Sequence, residues 1–277
     1  MEKISKISKK SKTEENLFSF DKNPSAGMGR AFVILDFIAR QPCRVVDITK
    51  ALNIPWASVY RTTKKLEKAQ FITRDENTNR YVIGARMWYL GSSYLSNNKA
   101  LNSSLEYLAR TNDIRHVDIQ IVERIGNYSV VIHAEKRQQN PISKAQYGHH
   151  LPLHTGSKGH VLLAFSHSDF IEDYLSSPLE ALTPKTITDP VQLNDILDEV
   201  RQNKFSMTFA DVQPHTGSMA APIFDNHNNI AGCVCFVYLS NIAKDRSSCE
   251  ELKQNLMLMS HSISSDLGWR PTIHRKI

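Results

Sequence analysis

The sequence predicts an α+β protein built from two parts of different character. Signals of three helices and a short hairpin follow one another within residues 27–84. Beyond residue 112, strands joined by hairpins are intermixed with helices, a pattern typical of an α+β domain on a mostly antiparallel sheet. The length of 277 residues suits two domains, and a hydrophobic fraction of 41% is enough for packed cores.

Positive charge is concentrated in the first third of the chain. Residues 1–90 contain 17 Lys and Arg against 9 Asp and Glu, whereas the remaining residues contain 17 against 19. A basic first part joined to a near-neutral body indicates a polyanion as the partner of the first part. Chance and a lysine-rich tail are the alternative explanation, because five of these lysines lie within Lys3–Lys12.

Cysteine usage and hydropathy indicate the compartment. Four cysteines, Cys43, Cys233, Cys235 and Cys249, are too few and too scattered for a disulfide framework. The sequence has no run of about 18 apolar residues, and its first residues lack the apolar region of a secretory signal. We therefore expect a cytoplasmic protein with no membrane partner. Residues 1–26 are polar and rich in lysine, and we expect them to form a flexible basic arm.

Residues 27–84 contain the signals of three helices. Apolar residues recur at helical spacing over Met28–Arg40, and "VVDITKALN" follows as a second helix with Asp47 in its first turn and Asn53 beyond its end. The segment "IPWASVYRTTKKLEKAQ" is a third helix with Pro55 in its first turn, where the missing N–H has no cost. Its inward-facing stripe consists of Val59, Thr63, Leu66 and either Ala69 or Gln70.

Two short strands follow the third helix, "FITR" and "RYVIG", with the polar "DENTN" as the tip between them. Three helices and a hairpin form the winged helix-turn-helix plan, whose third helix enters the major groove of DNA. The side chains expected to approach base edges and nearby phosphates are Trp56, Ala57, Ser58, Tyr60 and Arg61. Those expected to hold phosphates are Lys64, Lys65, Arg74 and Arg80. The alternative is a solvated helix beside a hairpin.

The rest of the chain predicts a linker helix and a second domain. Residues 85–112 are helical, with an interruption near Asn97-Asn98, and residues 269–277 form a tail. Between them, residues 113–268 contain two hairpins, a loop "TGSKG" that leads into a buried helix, and three further helices. The second hairpin turns at "DNHNN", and the final helix runs from about Asp245 to Leu267.

Three segments in order resemble the IclR-type bacterial transcriptional regulators. "ITKALNIPWASVYRTTKKLEKAQFITRDENTNRYVIG" resembles the second helix, recognition helix and wing of that family. "LPLHTGSKGHVLLAF" is similar to the segment that opens the effector pocket, and "MAAPIFDNHNNIAGCVCF" resembles the last hairpin. The resemblance implies an operator-binding regulator with a C-terminal effector-binding domain and no cofactor. It also implies a homodimer or a dimer of dimers paired through the linker helix, with Tyr89, Leu90 and Tyr94 as candidate interface residues.

The resemblance also implies the residues of the effector pocket, which are Ser157, Lys158, Asp211, Ser218, Cys235 and Val237. Lys158 and the backbone N–H groups that begin the helix after "TGSKG" favour a carboxylate. Phe209, Cys235 and Val237 would give an apolar wall suited to an aromatic ring, and the strand "GCVCFVYL" looks most like the subgroup that controls the breakdown of aromatic acids. Two departures from the family pattern stand out: Trp56-Ala57 at the start of the recognition helix, and Lys158 in place of a small residue.

Three other functions of the second domain are open at this point. Four nearby histidines and two strand cysteines suggest a metal site, although zinc-finger spacing is absent; they are His149, His150, His154, His160, Cys233 and Cys235. An enzyme is the second alternative, although G-x-S-x-G, P-loop and H-E-x-x-H motifs are absent. The third is a domain that only oligomerises a constitutive DNA binder.

Overall fold

The chain divides into two units, the first ending at Asn97 and the second beginning at Asn98. Each unit has a buried core of its own. A computed structural model describes residues 27–111, 114, 116–137, 147–239 and 246–270. The predicted arm, residue 112 of the predicted linker and the predicted tail beyond residue 270 lie outside the described residues.

The described part of the first unit consists of four helices and a two-stranded hairpin. They are α1 (Gly27–Arg40), α2 (Val45–Leu52), α3 (Trp56–Lys68), β1 (Ile72–Arg74), β2 (Tyr81–Ile83) and α4 (Ala85–Asn97). β1 and β2 pair antiparallel. α3 packs against α1, α2 and β1, so the predicted arrangement of three helices and a hairpin is confirmed.

Residues at the helix ends determine the bounds of α2 and α3. The Asp47 carboxylate accepts a hydrogen bond of 2.9 Å from the Arg44 backbone N–H at the start of α2. Asn53 adopts the left-handed conformation, with φ 52°, and ends α2. Pro55 directly precedes the first residue of α3. Three members of the predicted inward-facing stripe are buried, namely Val59, Thr63 and Leu66. The last predicted member, Ala69 or Gln70, is not buried, because α3 ends at Lys68.

α1 buries less apolar surface than its sequence suggests. Ile34 and Ile38 are buried in the core of the first unit, whereas Met28 and Phe32 are exposed. Phe32 precedes Ile34 by two residues, which places it about 200° around a helix of 3.6 residues per turn. Helical spacing alone therefore overstated the width of the buried face of α1.

The helical stretch at the junction of the units comprises two helices. α4 ends at Asn97 and α5 (Lys99–Arg110) follows, so the interruption predicted near Asn97-Asn98 is present. The Asn98 side chain caps α5 by accepting a hydrogen bond of 2.9 Å from the Leu101 backbone N–H. α5 is amphipathic and buries Leu101 and Leu108, whereas no residue of α4 is buried.

The second unit contains a six-stranded sheet in which every pair is antiparallel, as predicted. Its strands are β3 (Asp118–Ile125), β4 (Tyr128–Lys136), β5 (His150–Pro152), β6 (Ser206–Phe209), β7 (Thr216–Phe224) and β8 (Ile230–Leu239). Their order across the sheet is β5-β4-β3-β8-β7-β6. β3 and β8 form the central pair, with Asp118 opposite Val237. β5 and β6 are too short for alternation to have predicted them.

Helices cover both faces of this sheet. The remaining helices are α6 (Gly156–Ala164), α7 (Ser168–Ser176), α8 (Pro190–Asn203) and α9 (Arg246–Asp266). α9 packs on one face together with α5, and α6 packs on the other face with α8 behind it. Because α6 lies between the sheet and α8, every one of its residues is buried. Across the described residues, no helix combines the length and apolarity needed to cross a membrane.

Candidate nucleic-acid interface and ligand site

The first two turns of α3 present the side chains predicted to approach base edges. Ser58 is half-buried, and the other four are exposed: Trp56, Ala57, Tyr60 and Arg61. They lie away from the stripe that packs into the core of the first unit. Packing of α3 therefore leaves this surface open to a partner.

Two exposed aromatic rings stack at the start of α3. The ring centroids of Trp56 and Tyr60 lie 4.9 Å apart, with 9° between the ring planes. One turn further along, the Lys64 ammonium lies 5.9 Å from the Tyr60 centroid and pairs with Glu67 at 2.8 Å. The hydrogen bond to Glu67 raises the pKa of Lys64, so Lys64 is charged at neutral pH. Lys65 is exposed on the same helix.

The hairpin β1–β2 carries the two predicted phosphate-binding arginines on exposed positions. Arg74 ends β1, and Arg80 precedes β2 and donates a hydrogen bond of 2.9 Å to the Pro42 carbonyl. The tip is ordered by Asp75, whose carboxylate accepts from the Thr78 backbone N–H at 2.7 Å. This hydrogen bond, together with those from the Thr78 hydroxyl and the Asn77 backbone N–H, lowers the pKa of Asp75. The Asp75 carboxylate thus orders the tip that lies between Arg74 and Arg80.

In the second unit, the first turn of α6 gathers most of the predicted pocket residues. The Asp211 carboxylate accepts from the Gly156 backbone N–H at 3.0 Å. The Ser157 hydroxyl donates to the Ser218 hydroxyl at 2.8 Å, and Ser218 Oγ lies 3.0 Å from Thr208 Oγ1. Burial raises the pKa of Asp211 to about 6, against the lowering effect of the hydrogen bond from Gly156. We expected the backbone N–H groups at the N-terminus of α6 to be free for a ligand anion, but the Gly156 N–H is already hydrogen-bonded to the Asp211 carboxylate.

Lys158 is buried in the same turn, not exposed on a loop. Only 5% of the residue is accessible, and its ammonium donates to Gln120 Oε1 at 3.0 Å. Burial lowers the pKa of Lys158. His149 is close enough for the Lys158 charge to act on it, and burial together with that charge lowers the pKa of His149 to about 4. The fold therefore places the buried Lys158 side chain against the neutral amide of Gln120.

The apolar residues predicted for the pocket divide between the two faces of the sheet. Cys235 lies opposite Gln120, and its sulfur is 3.9 Å from Ser157 Oγ. Val237 lies opposite Ser218 and is half-buried on the same face. Phe209 pairs with Gly217, one position out of phase with Ser218, and therefore projects from the other face. The structure does not bring Phe209 to the other pocket residues.

We use the name α6 polar group for the side chains that meet around the first turn of α6, namely Gln120, Ser157, Lys158, Asp211 and Ser218. Gln120 was not among the residues predicted from the sequence, and His149 was predicted only as a possible metal ligand. A polar residue within the apolar-rich strand segment "DIQIV" was the available signal for Gln120. For His149 the sequence carried no such signal, because its nearness to Lys158 depends on tertiary packing.

Two of the four clustered histidines are occupied by hydrogen bonds inside the fold. His154 Nε2 donates to the Glu180 carbonyl at 2.9 Å, and its Nδ1 accepts from the Tyr174 hydroxyl at 2.8 Å. His160 Nε2 donates to the His154 carbonyl at 3.1 Å. Within the described ranges, no group of three His, Cys, Asp or Glu side chains is arranged to hold a metal ion.

The buried His160 makes the second unit sensitive to acid. Burial lowers the pKa of His160 from 6.5 to about 4, so between these values the unfolded chain binds a proton that the folded chain excludes. Stability is therefore lost as the pH falls below about 6.5. We expect His160→Gln to remove about 2 kcal/mol of the stability loss between pH 7 and pH 5, measured by urea unfolding. The exposed His227→Gln is the control; an equal effect there would contradict this role.

Comparison with known proteins decides the family. Residues 92–265, more than half of the chain, match the family model described as bacterial transcriptional regulator IclR, C-terminal. The chain belongs to the IclR family. It is a DNA-binding transcriptional regulator, in keeping with the helix-turn-helix of its first unit and the α+β fold of its second.

Relatives of this IclR protein align over most of its length. It is similar to the HTH-type transcriptional repressor AllR of Klebsiella pneumoniae, with 25% identity over 259 residues, covering 90% of this chain and 94% of that protein. An IclR regulator from Silicibacter sp. TM1040 has a TM-score of 0.78 and 20% identity, covering 88% and 97%. An IclR homolog from Microbacterium hydrocarbonoxydans, solved with 4-hydroxybenzoate, has a TM-score of 0.74 and 20% identity, covering 87% and 99%.

Proposed function

We propose that this regulator binds an operator through α3 and the β1–β2 hairpin, and that a small carboxylate bound at the α6 polar group changes its operator affinity. The observation that carries the ligand proposal is the buried ammonium of Lys158. In the described part of the chain, no carboxylate lies within ion-pair distance of it. A buried charge is costly without a counter-ion, and a ligand carboxylate would supply one.

The chemistry around Lys158 favours an acid with an apolar body. Gln120 and the Ser157–Ser218 pair offer hydrogen bonds, and Cys235 and Val237 offer an apolar surface on the same face of the sheet. Such a combination of few polar groups and an apolar surface is typical of small-molecule sites. The relative solved with 4-hydroxybenzoate supports an aromatic acid for this chain, with short aliphatic acids as the comparison set.

We propose that the chain consists of two functional domains joined by a linker. Residues 27–84 form the DNA-binding domain, residues 85–112 the linker and residues 113–268 the effector-binding domain. We further propose a cytoplasmic homodimer or dimer of dimers, since one winged helix covers few base pairs and two half-sites multiply affinity. The exposed Tyr89, Leu90 and Tyr94 on α4 are candidate interface residues. Light scattering of the purified protein measures the oligomer size.

Fluorescence anisotropy tests the proposal, with DNA from upstream of the regulator's own gene and of the neighbouring genes. We expect tight binding that weakens steeply as salt rises, because lysines and arginines displace counter-ions from phosphates. One acid of an aromatic and aliphatic panel should shift the affinity by about 5- to 150-fold, the usual range of allosteric coupling. Selective binding that no acid changes would favour a constitutive DNA binder. Absence of binding above random DNA would contradict the operator proposal.

Arg61 is expected to discriminate between bases rather than to add general affinity. It is exposed on the second turn of α3, and an arginine in the major groove can bond to guanine O6 and N7 together, which is worth about 1–3 kcal/mol of discrimination. Arg61→Ala should therefore lower the ratio of operator to random-DNA affinity by about 5- to 150-fold. Lys68→Ala, at the exposed end of the same helix, is the matched control. Unchanged selectivity in Arg61→Ala would exclude this role.

A further inference from the structure

The exposed Trp56–Tyr60 stack is an apolar surface at the start of α3, where polar side chains would be expected. Trp56 is 52% exposed and Tyr60 is 40% exposed, although each carries a large ring. The two residues are four apart in a helix, so they share one side of it. Their parallel arrangement, with centroids 4.9 Å apart, gives the two rings one common orientation.

Two basic side chains lie near this stack on α3. Lys64 follows on the same side of α3, one turn beyond Tyr60, and Arg61 lies next to Tyr60 in sequence. A cation that contacts a phosphate fixes the position of the helix along the duplex. The stack would then face the base edges between the phosphate contacts.

The major groove offers an apolar partner to such a surface. All four base pairs present hydrogen-bond donors and acceptors there, whereas the C5-methyl group of thymine is apolar. The indole has a single donor and no acceptor, so a stacked Trp56 ring satisfies few of the polar groups on base edges. Contact with a methyl group removes apolar surface of both partners from water.

We propose that the Trp56–Tyr60 stack recognises the C5-methyl group of a thymine in each operator half-site. This inference rests on the proposed binding of α3 in the major groove and adds the identity of the contacted group. The same methyl group occupies the same position in 5-methylcytosine, so a methylated cytosine at that position would satisfy the stack as well.

Single-methyl substitutions in the DNA test the proposal with the full-length protein. A binding duplex is first selected from a random library, and each thymine of a half-site is then replaced in turn by uracil, which lacks only the methyl group. We expect at least one replacement to weaken parent binding about four-fold, the effect of burying one methyl group. Putting 5-methylcytosine in place of cytosine at that position should recover binding relative to cytosine.

The protein variants assign the effect to the stack. In Trp56→Ala, the ratio of thymine to uracil affinity at the sensitive position should fall to about one. In Tyr60→Phe, which keeps the ring and removes the hydroxyl, the ratio should stay at the parent value. The exposed Trp88→Ala, on α4, controls for loss of an indole elsewhere in the unit and should also keep it. Thermal unfolding confirms that each variant folds.

Three results distinguish this inference from the operator proposal. Selective, salt-dependent binding that is indifferent to every uracil replacement, or a ratio unchanged in Trp56→Ala, would overturn the methyl recognition alone. Failure to select any duplex above random DNA would overturn the proposed operator binding, and the inference with it.

Discussion

Lys158→Met should strongly weaken the response to acids while leaving the protein as stable as the parent or more stable. The Lys158 ammonium is buried, and burial lowers its pKa, so its charge is expensive in the absence of ligand. Methionine fills a similar volume without charge, and replacement of buried ionic groups by apolar ones is often neutral or stabilising by about 1–4 kcal/mol. Urea unfolding without ligand measures this first effect.

The second effect of Lys158→Met concerns the ligand. A hydrogen bond to a charged group contributes about 1.5–3 kcal/mol, so we expect about 10- to 150-fold weaker acid binding. The parent should be stabilised by about 2.7 kcal/mol at a ligand concentration 100 times Kd, and the variant by much less. Operator binding without acid should persist. An acid that stabilises the variant as much as the parent would refute the role of Lys158.

Lys185→Met is the matched control for the loss of a positive charge. Lys185 is exposed, with its ammonium 5.2 Å from the centroid of Phe209. Phe209 projects from the sheet face opposite to Ser218. We therefore expect Lys185→Met to keep the acid response of the parent. A comparable loss in both variants would indicate a general electrostatic attraction of acids rather than a specific ion pair.

Gly159→Ala should destabilise the second unit strongly. A Cβ atom at Gly159 would lie 2.4 Å from the Leu153 carbonyl oxygen and 2.9 Å from its carbon, and neither backbone atom can rotate away. α6 cannot move outward easily, because all of its residues are buried between the sheet and α8. Overpacking usually costs about 1–3 kcal/mol, and we expect a loss at or above the upper end of that range.

Gly91→Ala provides the comparison for Gly159→Ala. Gly91 also lies inside a helix, α4, and an added Cβ would meet no atom within 4 Å. Alanine in a helix interior is favoured over glycine by about 0.5–1 kcal/mol, so this variant should be unchanged or slightly stabilised. Equal urea midpoints for Gly159→Ala and the parent would show that α6 can move to admit the methyl group.

The sequence was sufficient wherever a local pattern determines the structure. The buried residues of the stripe on α3, the end of α2 before Asn53 and the break near Asn98 follow from spacing and end residues, and all three are present. α6 shows the limit of this approach. A helix buried on every side has no polar face, so its start at Gly156 was mistaken for a loop, and Lys158 was placed outside the helix to which it belongs.

The interior of the candidate ligand site depends on contacts between distant segments. The hydrogen bond between Gly156 and Asp211 joins residues 55 positions apart, and that between Lys158 and Gln120 joins residues 38 positions apart. No local pattern encodes such pairs. The sequence also does not show which face of the sheet a residue of the short β6 strand projects from. Phe209 and Thr208 are adjacent in sequence but project from opposite faces. Family resemblance named five residues that do meet around α6, but it could not indicate that Asp211 occupies the helix N-terminus.

The pairing of β3 with β8 has a consequence for the order of events in folding. It joins residue 118 to residue 237, so a loop of more than a hundred residues must close before the sheet is continuous. Gln120 belongs to β3, whereas Cys235 belongs to β8. During synthesis, the ribosome must therefore release nearly the whole second unit before the site can exist. Closure of so long a loop is slow, and the side chains around the first turn of α6 cannot come together until that closure is complete.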